Sequence, residues 1–278
     1  VDINIDGIGN IYLLAETTSV DFPTPNQQPA NLNGGRDIAV VKLNPTGNTI
    51  IFSTFIGGSL DEWITKLNRD SNGNIYITGG TLSTNFPTPN GLQQTFGGGA
   101  DDAYLVKLNP IGQIIYSTLL GGTGDEAAYD IEINSNNEVY ITGGTSSANL
   151  STPNVYQQSY GASGDAFVAK YNTDGSQLIF FTYLGGNGGD NSTGIALDAA
   201  NNIYVFGTTG SENLATPTAF QQNHAGGGDA FVAKLTPSGS GLVFFTYLGG
   251  SSGESVGKGI AVDVVGNVYL TGYTDSAD

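Results

Sequence analysis

The sequence contains no cysteine or methionine, one histidine, one tryptophan, and only 8 lysines and arginines against 25 acidic residues. The absence of cysteine excludes disulfides and thiolate metal sites, and a lone histidine excludes zinc sites and Ser/His or Cys/His catalytic groups in their usual forms. A formal net charge of −17 disfavours binding to nucleic acids and to anionic membranes. No apolar run approaches the roughly 20 residues of a transmembrane helix, and the first residues lack a signal-peptide pattern.

A unit of about 64 residues repeats along the whole chain. One tyrosine per unit recurs at steps of 64, 64, 64 and 65 residues: Tyr12, Tyr76, Tyr140, Tyr204 and Tyr269. Gly-Gly pairs recur at steps of 64, at positions 57–58, 121–122, 185–186 and 249–250. One lysine per unit recurs at steps of 65, 63 and 64: Lys42, Lys107, Lys170 and Lys234. Three independent markers therefore keep one period.

Each unit reads as two β-hairpins. The first has an Asp-x-x-Gly-Asn turn between two β-rich runs, as in residues 259–272, and the second covers residues such as 229–250. Segments 230–233 and 242–245 are apolar at successive positions, which indicates strands buried on both faces. This pattern predicts an all-β fold with little helix: a β-propeller of four-stranded blades, with four full repeats and one extra hairpin, in one domain over residues 1–278. It favours that fold over a sandwich or a β-helix.

The unit exceeds the roughly 40–50 residues of common propeller repeats, and the surplus lies between the two hairpins, for example in residues 81–101. Phe-Pro-Thr-Pro segments at 22–25 and 86–89, and Gln-Gln pairs at 93–94, 157–158 and 221–222, predict ordered loops. Because the surplus sits at one place in every unit, we expect these loops to crowd one face of the ring and to form a contact surface.

Together these strings resemble the bacterial SBBP repeat, a family named for a seven-bladed β-propeller. The resemblance covers nearly the whole chain through Phe-Pro-Thr-Pro, Gln-Gln, Asp-Ala-Phe-Val-Ala-Lys-Leu, Thr-Tyr-Leu-Gly-Gly and Asp-x-x-Gly-Asn-Val-Tyr-Leu-Thr-Gly. It implies a propeller in secreted or cell-surface bacterial proteins and brings no defined catalytic residues with it. A seven-bladed ring needs more units than this chain contains.

The chain has five hairpins of the first type and four of the second. Two explanations stay open. The chain could be a segment of a longer protein, or the surplus hairpin could complete a blade in another molecule, which would give a head-to-tail assembly.

One polar group is a candidate calcium site. Its members follow a Gly-Gly pair by three or four residues: Asp61, Asp125, Asp190 and Glu254. If the next strand is innermost, these carboxylates would surround the mouth of the central channel, and Ca²⁺ takes six to eight oxygen ligands. The competing interpretation is that each acid caps its own loop by accepting backbone N–H groups.

A second candidate group departs from the repeat. Arg69 occupies a column that is otherwise apolar, and Trp63 and Lys66 lie in the same strand region. An aromatic ring and cations near the axis could bind a sugar or an acidic peptide, or this blade could simply border an edge or neighbour. His224 is interpreted as a substitute for a packing aromatic, and the repeated lysines as structural residues at the blade edge.

The sequence therefore predicts a non-catalytic, extracellular structural or adhesive module without a certain cofactor. Other protein subunits or surface glycans are the expected partners, without nucleic acid binding or membrane insertion. A carbohydrate-binding propeller is the first alternative, and a polysaccharide-cleaving enzyme is the second.

Overall fold

The computed structural model describes residues 1–19, 21–23 and 34–277, and in these ranges it contains strands and no helix. No helix in this described part is therefore long and apolar enough to cross a membrane. The strands are β1 (Asp2–Ile5), β2 (Ile11–Thr17), β3 (Asp37–Leu43), β4 (Ile50–Ile56), β5 (Glu62–Arg69), β6 (Ile75–Thr81), β7 (Asp102–Leu108), β8 (Ile114–Leu120), β9 (Glu126–Ile133), β10 (Val139–Thr145), β11 (Asp165–Tyr171), β12 (Leu178–Leu184), β13 (Asp190–Leu197), β14 (Ile203–Thr209), β15 (Asp229–Leu235), β16 (Leu242–Leu248), β17 (Glu254–Val262) and β18 (Val268–Thr274).

The strands form four antiparallel four-stranded sheets and one two-stranded sheet. We call β1–β4, β5–β8, β9–β12 and β13–β16 blades 1 to 4, and β17–β18 the terminal hairpin. Within each blade the strands pair in chain order, so one blade is a first-type hairpin followed by a second-type hairpin. The predicted fold class and the prediction of four repeats plus one extra hairpin are confirmed.

The Asp-x-x-Gly-Asn turns form as their residue types predict. In blade 2, Asp70 Oδ1 accepts the backbone N–H groups of Asn72 and Asn74, both at 2.9 Å. Gly73 adopts φ of 81°, a left-handed conformation that suits glycine. The aspartate thereby fixes the turn between β5 and β6 and sets the register of the hairpin.

Apolar side chains fill the spaces between consecutive sheets. The cluster between blades 2 and 3 contains Tyr76 and Leu105 from blade 2 and Ile131 and Phe167 from blade 3, all at most 1% exposed. Equivalent clusters lie between blades 1 and 2, between blades 3 and 4, and between blade 4 and the terminal hairpin. Each interior sheet therefore buries both faces, as the unbroken apolar runs predict.

The innermost strands surround a common centre. An open cavity of about 520 Å³ is lined by residues of all five: β1, β5, β9, β13 and β17. This arrangement is that of a propeller rather than a stack or a sandwich. The array is not closed, because Ile3 of blade 1 and Tyr269 of the terminal hairpin remain 60% and 59% exposed.

The described insertions run along the outer edge of the outermost strand and hydrogen-bond to it. Their later residues also reach the Gly-Gly segment that follows this strand, as Gly97 does at Gly121 and Gly122. The carbonyls of Gln93, Gln157 and Gln221 accept the N–H groups of Leu119, Tyr183 and Tyr247 at 3.0, 3.2 and 3.2 Å. Edge strands are prone to pair with other chains unless they are covered, and these loops cover β8, β12 and β16. The Phe-Pro-Thr-Pro segment at 22–25 lies partly outside the described residues.

Candidate functional site: paired carboxylates at the blade junctions

The four acids of the predicted calcium site occupy two different positions. Asp190 and Glu254 are the first residues of β13 and β17, whereas Asp61 and Asp125 precede β5 and β9 by one residue. Oδ1 of Asp61 accepts the N–H of Arg36 at 2.9 Å, and Oδ1 of Asp125 accepts the N–H of Ala100 at 2.6 Å. These two carboxylates therefore cap loops. In the part of the chain that the structure describes, no three acids or histidines form a metal-binding group.

The true counterparts of Asp190 and Glu254 are Glu62 and Glu126, which open β5 and β9. All four acids are spaced by 64 residues, and a strict count of the period from the Gly-Gly pairs would have found them. Glu62, Glu126 and Asp190 are buried. Glu126 accepts hydrogen bonds from Thr145 Oγ1 at 2.6 Å and from the N–H of Gly122, the second glycine of its pair, at 2.7 Å.

A second buried acid from the preceding blade faces each of these carboxylates. It opens the third strand of that blade and is at most 1% exposed in every unit: Asp37, Asp102, Asp165 and Asp229. Asp165 Oδ2 accepts the N–H of Gly161 at 2.8 Å and Nε2 of Gln157 at 3.1 Å. The insertion loop thus positions one acid, while the Gly-Gly segment positions the other. We call each set of two facing acids a junction pair.

The first glycine of each Gly-Gly pair makes room for the junction pair. A Cβ atom on Gly185 would lie 2.6 Å from Asp165 Oδ1 and 2.7 Å from Asp190 Oδ2. A Cβ atom on Gly249 would be equally close to oxygens of Asp229 and Glu254, at 2.5 and 2.6 Å. The two carboxyl groups therefore meet over the glycine, where any side chain would collide with both.

Burial makes four of these acids hard to ionise: Asp102, Glu126, Asp165 and Asp190. It raises the pKa of Asp102 and of Asp165 to about 6, with neighbouring acids contributing in the same direction. Burial also raises the pKa of Glu126 and of Asp190. Among the described residues, none of these four acids forms an ion pair with a lysine, arginine or histidine.

The structure does not bring Trp63, Lys66 and Arg69 together. Lys66 Nζ lies 3.6 Å from Asp2 Oδ2 at the central cavity, whereas the Trp63 ring packs against the backbone of Gly80. Arg69 donates to Asn4 Oδ1 at 3.0 Å and stacks 4.5 Å from the centre of the Tyr12 ring, which joins blade 2 to blade 1. Trp63 and Arg69 are separated by most of β5, or roughly 20 Å of extended strand.

Two structural predictions about single residues are confirmed. His224 packs edge-to-face on Tyr247 at 5.7 Å, as Tyr160 does on Tyr183 at 5.8 Å in the preceding blade. The repeated lysines lie over the repeated tyrosine rings at 4.6 to 5.0 Å. Two of them also reach acids: Lys170 contacts Glu138 at 2.8 Å, and Lys234 contacts Asp198 at 3.3 Å.

Comparison with known proteins supports this organisation. The family model described as the SBBP β-propeller repeat matches residues 51–87, 179–215 and 243–278. Each match runs from the last strand of one blade into the next unit, so it includes a Gly-Gly pair and one acid of a junction pair. The chain is also similar to the regulatory protein FlaEY of Caulobacter vibrioides, with 21% identity over 255 residues. That match covers 86% of this chain and 26% of the relative, so the chain spans about a quarter of it.

Proposed function

The chain is a β-propeller repeat protein of the SBBP family, and we propose from this premise that it is a non-catalytic structural module. The supporting observation is that the repeated polar residues lie at the junctions between blades and bond to one another there. In the described part of the chain, repeated threonine, glutamine and glycine residues donate hydrogen bonds to the buried acids at the blade junctions, as Thr145 and Gly122 do to Glu126 and Gln157 does to Asp165. Contacts of this kind are what a scaffold requires.

We place this module outside the cell. Support comes from its resemblance to secreted and cell-surface repeat proteins, and from a composition rich in glycine but poor in lysine. Labelling of intact source cells by an antibody against this chain tests the location. Labelling that appears only after the cells are permeabilised would contradict it.

The module is also proposed to assemble head to tail with a second copy of itself. Blade 1 exposes Ile3 and Ile5 at 60% and 61%, although Leu67, the counterpart of Ile3 in blade 2, is 1% exposed because blade 1 covers it. The terminal hairpin exposes Tyr269 at 59%, whereas Tyr204 of blade 4 is 2% exposed. The exposed face of blade 1 therefore corresponds to one side of the interface between consecutive blades. The exposed face of the terminal hairpin corresponds to the other side.

Analytical ultracentrifugation over a micromolar to near-millimolar range tests this assembly. We expect mass to grow with concentration, and Ile3→Asp to abolish the growth because it places a charge in the interface. Ile111→Asp is the matched control, since Ile111 is 64% exposed in a turn of blade 2 and has no part in either face. A compact monomer at every concentration would rule the assembly out.

Protein surfaces, rather than glycans, are the partner class that we propose. We favour proteins because Trp63 and Arg69, an aromatic ring and a cation that could have held a sugar, lie at opposite ends of β5. Arg69 and Lys66 are engaged with blade 1 instead. The exposed apolar faces at the two ends of the array suit contact with another β-sheet.

A further inference from the structure

The junction between blades 3 and 4 buries two acids without a balancing cation. Asp165 is fully buried and Asp190 is 5% exposed. Asp165 Oδ1 and Asp190 Oδ2 face each other over Gly185, and neither acid forms an ion pair in the described part of the chain. Two ionised carboxylates in such a place repel each other strongly, so one negative charge must be neutralised.

Hydrogen-bond donors account for three of the four carboxyl oxygens. Asp190 accepts from the side chain of Thr209 with Oδ1, and from Gly186 N–H and Ser211 Oγ, both at 2.8 Å, with Oδ2. Asp165 Oδ2 accepts from Gly161 and Gln157. The remaining atom, Asp165 Oδ1, is buried and has no hydrogen-bond partner among the described residues. A buried oxygen without a partner beside a carboxylate is where an added proton would form a bond.

We propose that the junction pairs between blades 2 and 3 and between blades 3 and 4 each bind one shared proton in mildly acidic solution, so that these blades are joined by a carboxylic acid–carboxylate hydrogen bond. Between blades 3 and 4, protonated Asp165 Oδ1 donates to the carboxylate of Asp190. Between blades 2 and 3, Asp102 plays the same part towards Glu126, and its Oδ1 is likewise buried without a partner in the described chain. This inference rests on the geometry of the junctions and is independent of the proposed location and assembly.

The surroundings favour a proton over a metal ion. Ca²⁺ requires six to eight oxygen ligands, whereas the groups that point at this pair are largely N–H and O–H donors. Tyr183 lies near Asp165 and Glu126, and Tyr247 lies near Asp190 and Asp229. Burial raises the pKa of Tyr183 and of Tyr247, so these phenols stay neutral and supply no counter-charge.

Carbon-13 NMR of aspartate-labelled protein detects the proton directly. We expect the Asp165 carboxyl signal, assigned by its loss in Asp165→Asn, to titrate with a midpoint near 6. In Asp190→Asn the midpoint should fall, because the amide can donate to the ionised Asp165. Asp174→Asn, in an exposed turn, is the control and should leave the midpoint unchanged. An Asp165 carboxyl that stays ionised from pH 5 to pH 8 would overturn the proposal.

Thermal unfolding gives a second readout that does not depend on the signal assignment. An amide at position 165 mimics the protonated acid, so Asp165→Asn should match the wild-type Tm at pH 5 and equal or exceed it at pH 8. A Tm lowered equally at both pH values would contradict the shared proton. A Ca²⁺-dependent rise in the wild-type Tm that is lost in Asp165→Asn would indicate that the pair binds a metal ion instead of a proton. That result would also overturn the proposal.

Discussion

At the scale of single residues, the first glycine of each Gly-Gly pair has no room for a side chain. A Cβ atom on Gly121 would lie 2.1 Å from both Cγ and Oδ1 of Asp102. Gly121→Ala should therefore lower the free energy of unfolding by about 1–3 kcal/mol, the usual range for overpacking a filled interior. Urea denaturation measures the change. Gly7→Ala is the control, because nothing lies within 4 Å of the added carbon there, and an equal loss in both variants would contradict the steric explanation.

The sequence shows that these glycines matter but does not show why. Their 64-residue period is visible, whereas the carboxyl groups that crowd them come from different blades and lie 25 residues apart in sequence, as Asp165 and Asp190 do. The four acids that were predicted to bind calcium do not share one position in the blades, for a related reason. Asp61 and Asp125 adjoin the buried acids in sequence, but alternation along the chain turns neighbouring side chains in different directions.

At the scale of the elements, the insertion loops are held to their blades by the first glutamine of each Gln-Gln pair. Gln157 Oε1 accepts the N–H of Gly185 at 3.1 Å, and its Nε2 donates to Asp165. Gln157→Ala should cost about 1–3 kcal/mol, because it leaves buried partners unsatisfied. It should also speed hydrogen exchange at the Tyr183 amide, which bonds to the loop.

Gln158→Ala is the matched control for this loop prediction, since Gln158 is exposed and adjacent. We expect it to leave both the stability and the exchange rate of the Tyr183 amide near the wild-type values. Faster exchange in Gln158→Ala than in Gln157→Ala would show that the glutamine side chain at 157 is not what holds the loop on β12.

The strands and hairpins could be predicted because burial on both faces leaves runs such as residues 230–233 in the sequence. The course of the loops could not. The carbonyls of Gln93, Gln157 and Gln221 bond to β8, β12 and β16 through the backbone, which any residue type can do, so these bonds leave no pattern in the sequence.

At the scale of the whole molecule, the two classes of perturbed acid act on stability in different pH ranges. Acids with raised pKa values stabilise the fold most when protonated, and that contribution is lost as pH rises through the folded-state pKa. The pKa is about 6 for Asp101, Asp102 and Asp165 and about 7 for Glu132, in each case chiefly because of burial. Acids in turns behave in the opposite way: hydrogen bonds lower the pKa of Asp6 to about 2 and also lower those of Asp198 and Asp263, so their contribution is lost as pH falls below about 4.

We therefore expect Tm to be highest near pH 4–5 and to fall on both sides, with a loss above pH 5 of about 1.4 kcal/mol for each acid whose folded-state pKa is about 6. Calorimetry from pH 2 to pH 8 measures the profile. General repulsion within a chain of net charge −17 would also lower Tm at high pH, but 0.5 M salt screens that effect and leaves buried pairs almost untouched. The fall above pH 5 should persist in salt and flatten in the Asp102→Asn, Asp165→Asn double variant. A Tm that rises from pH 5 to pH 8 would show that the buried acids do not govern the stability of the array.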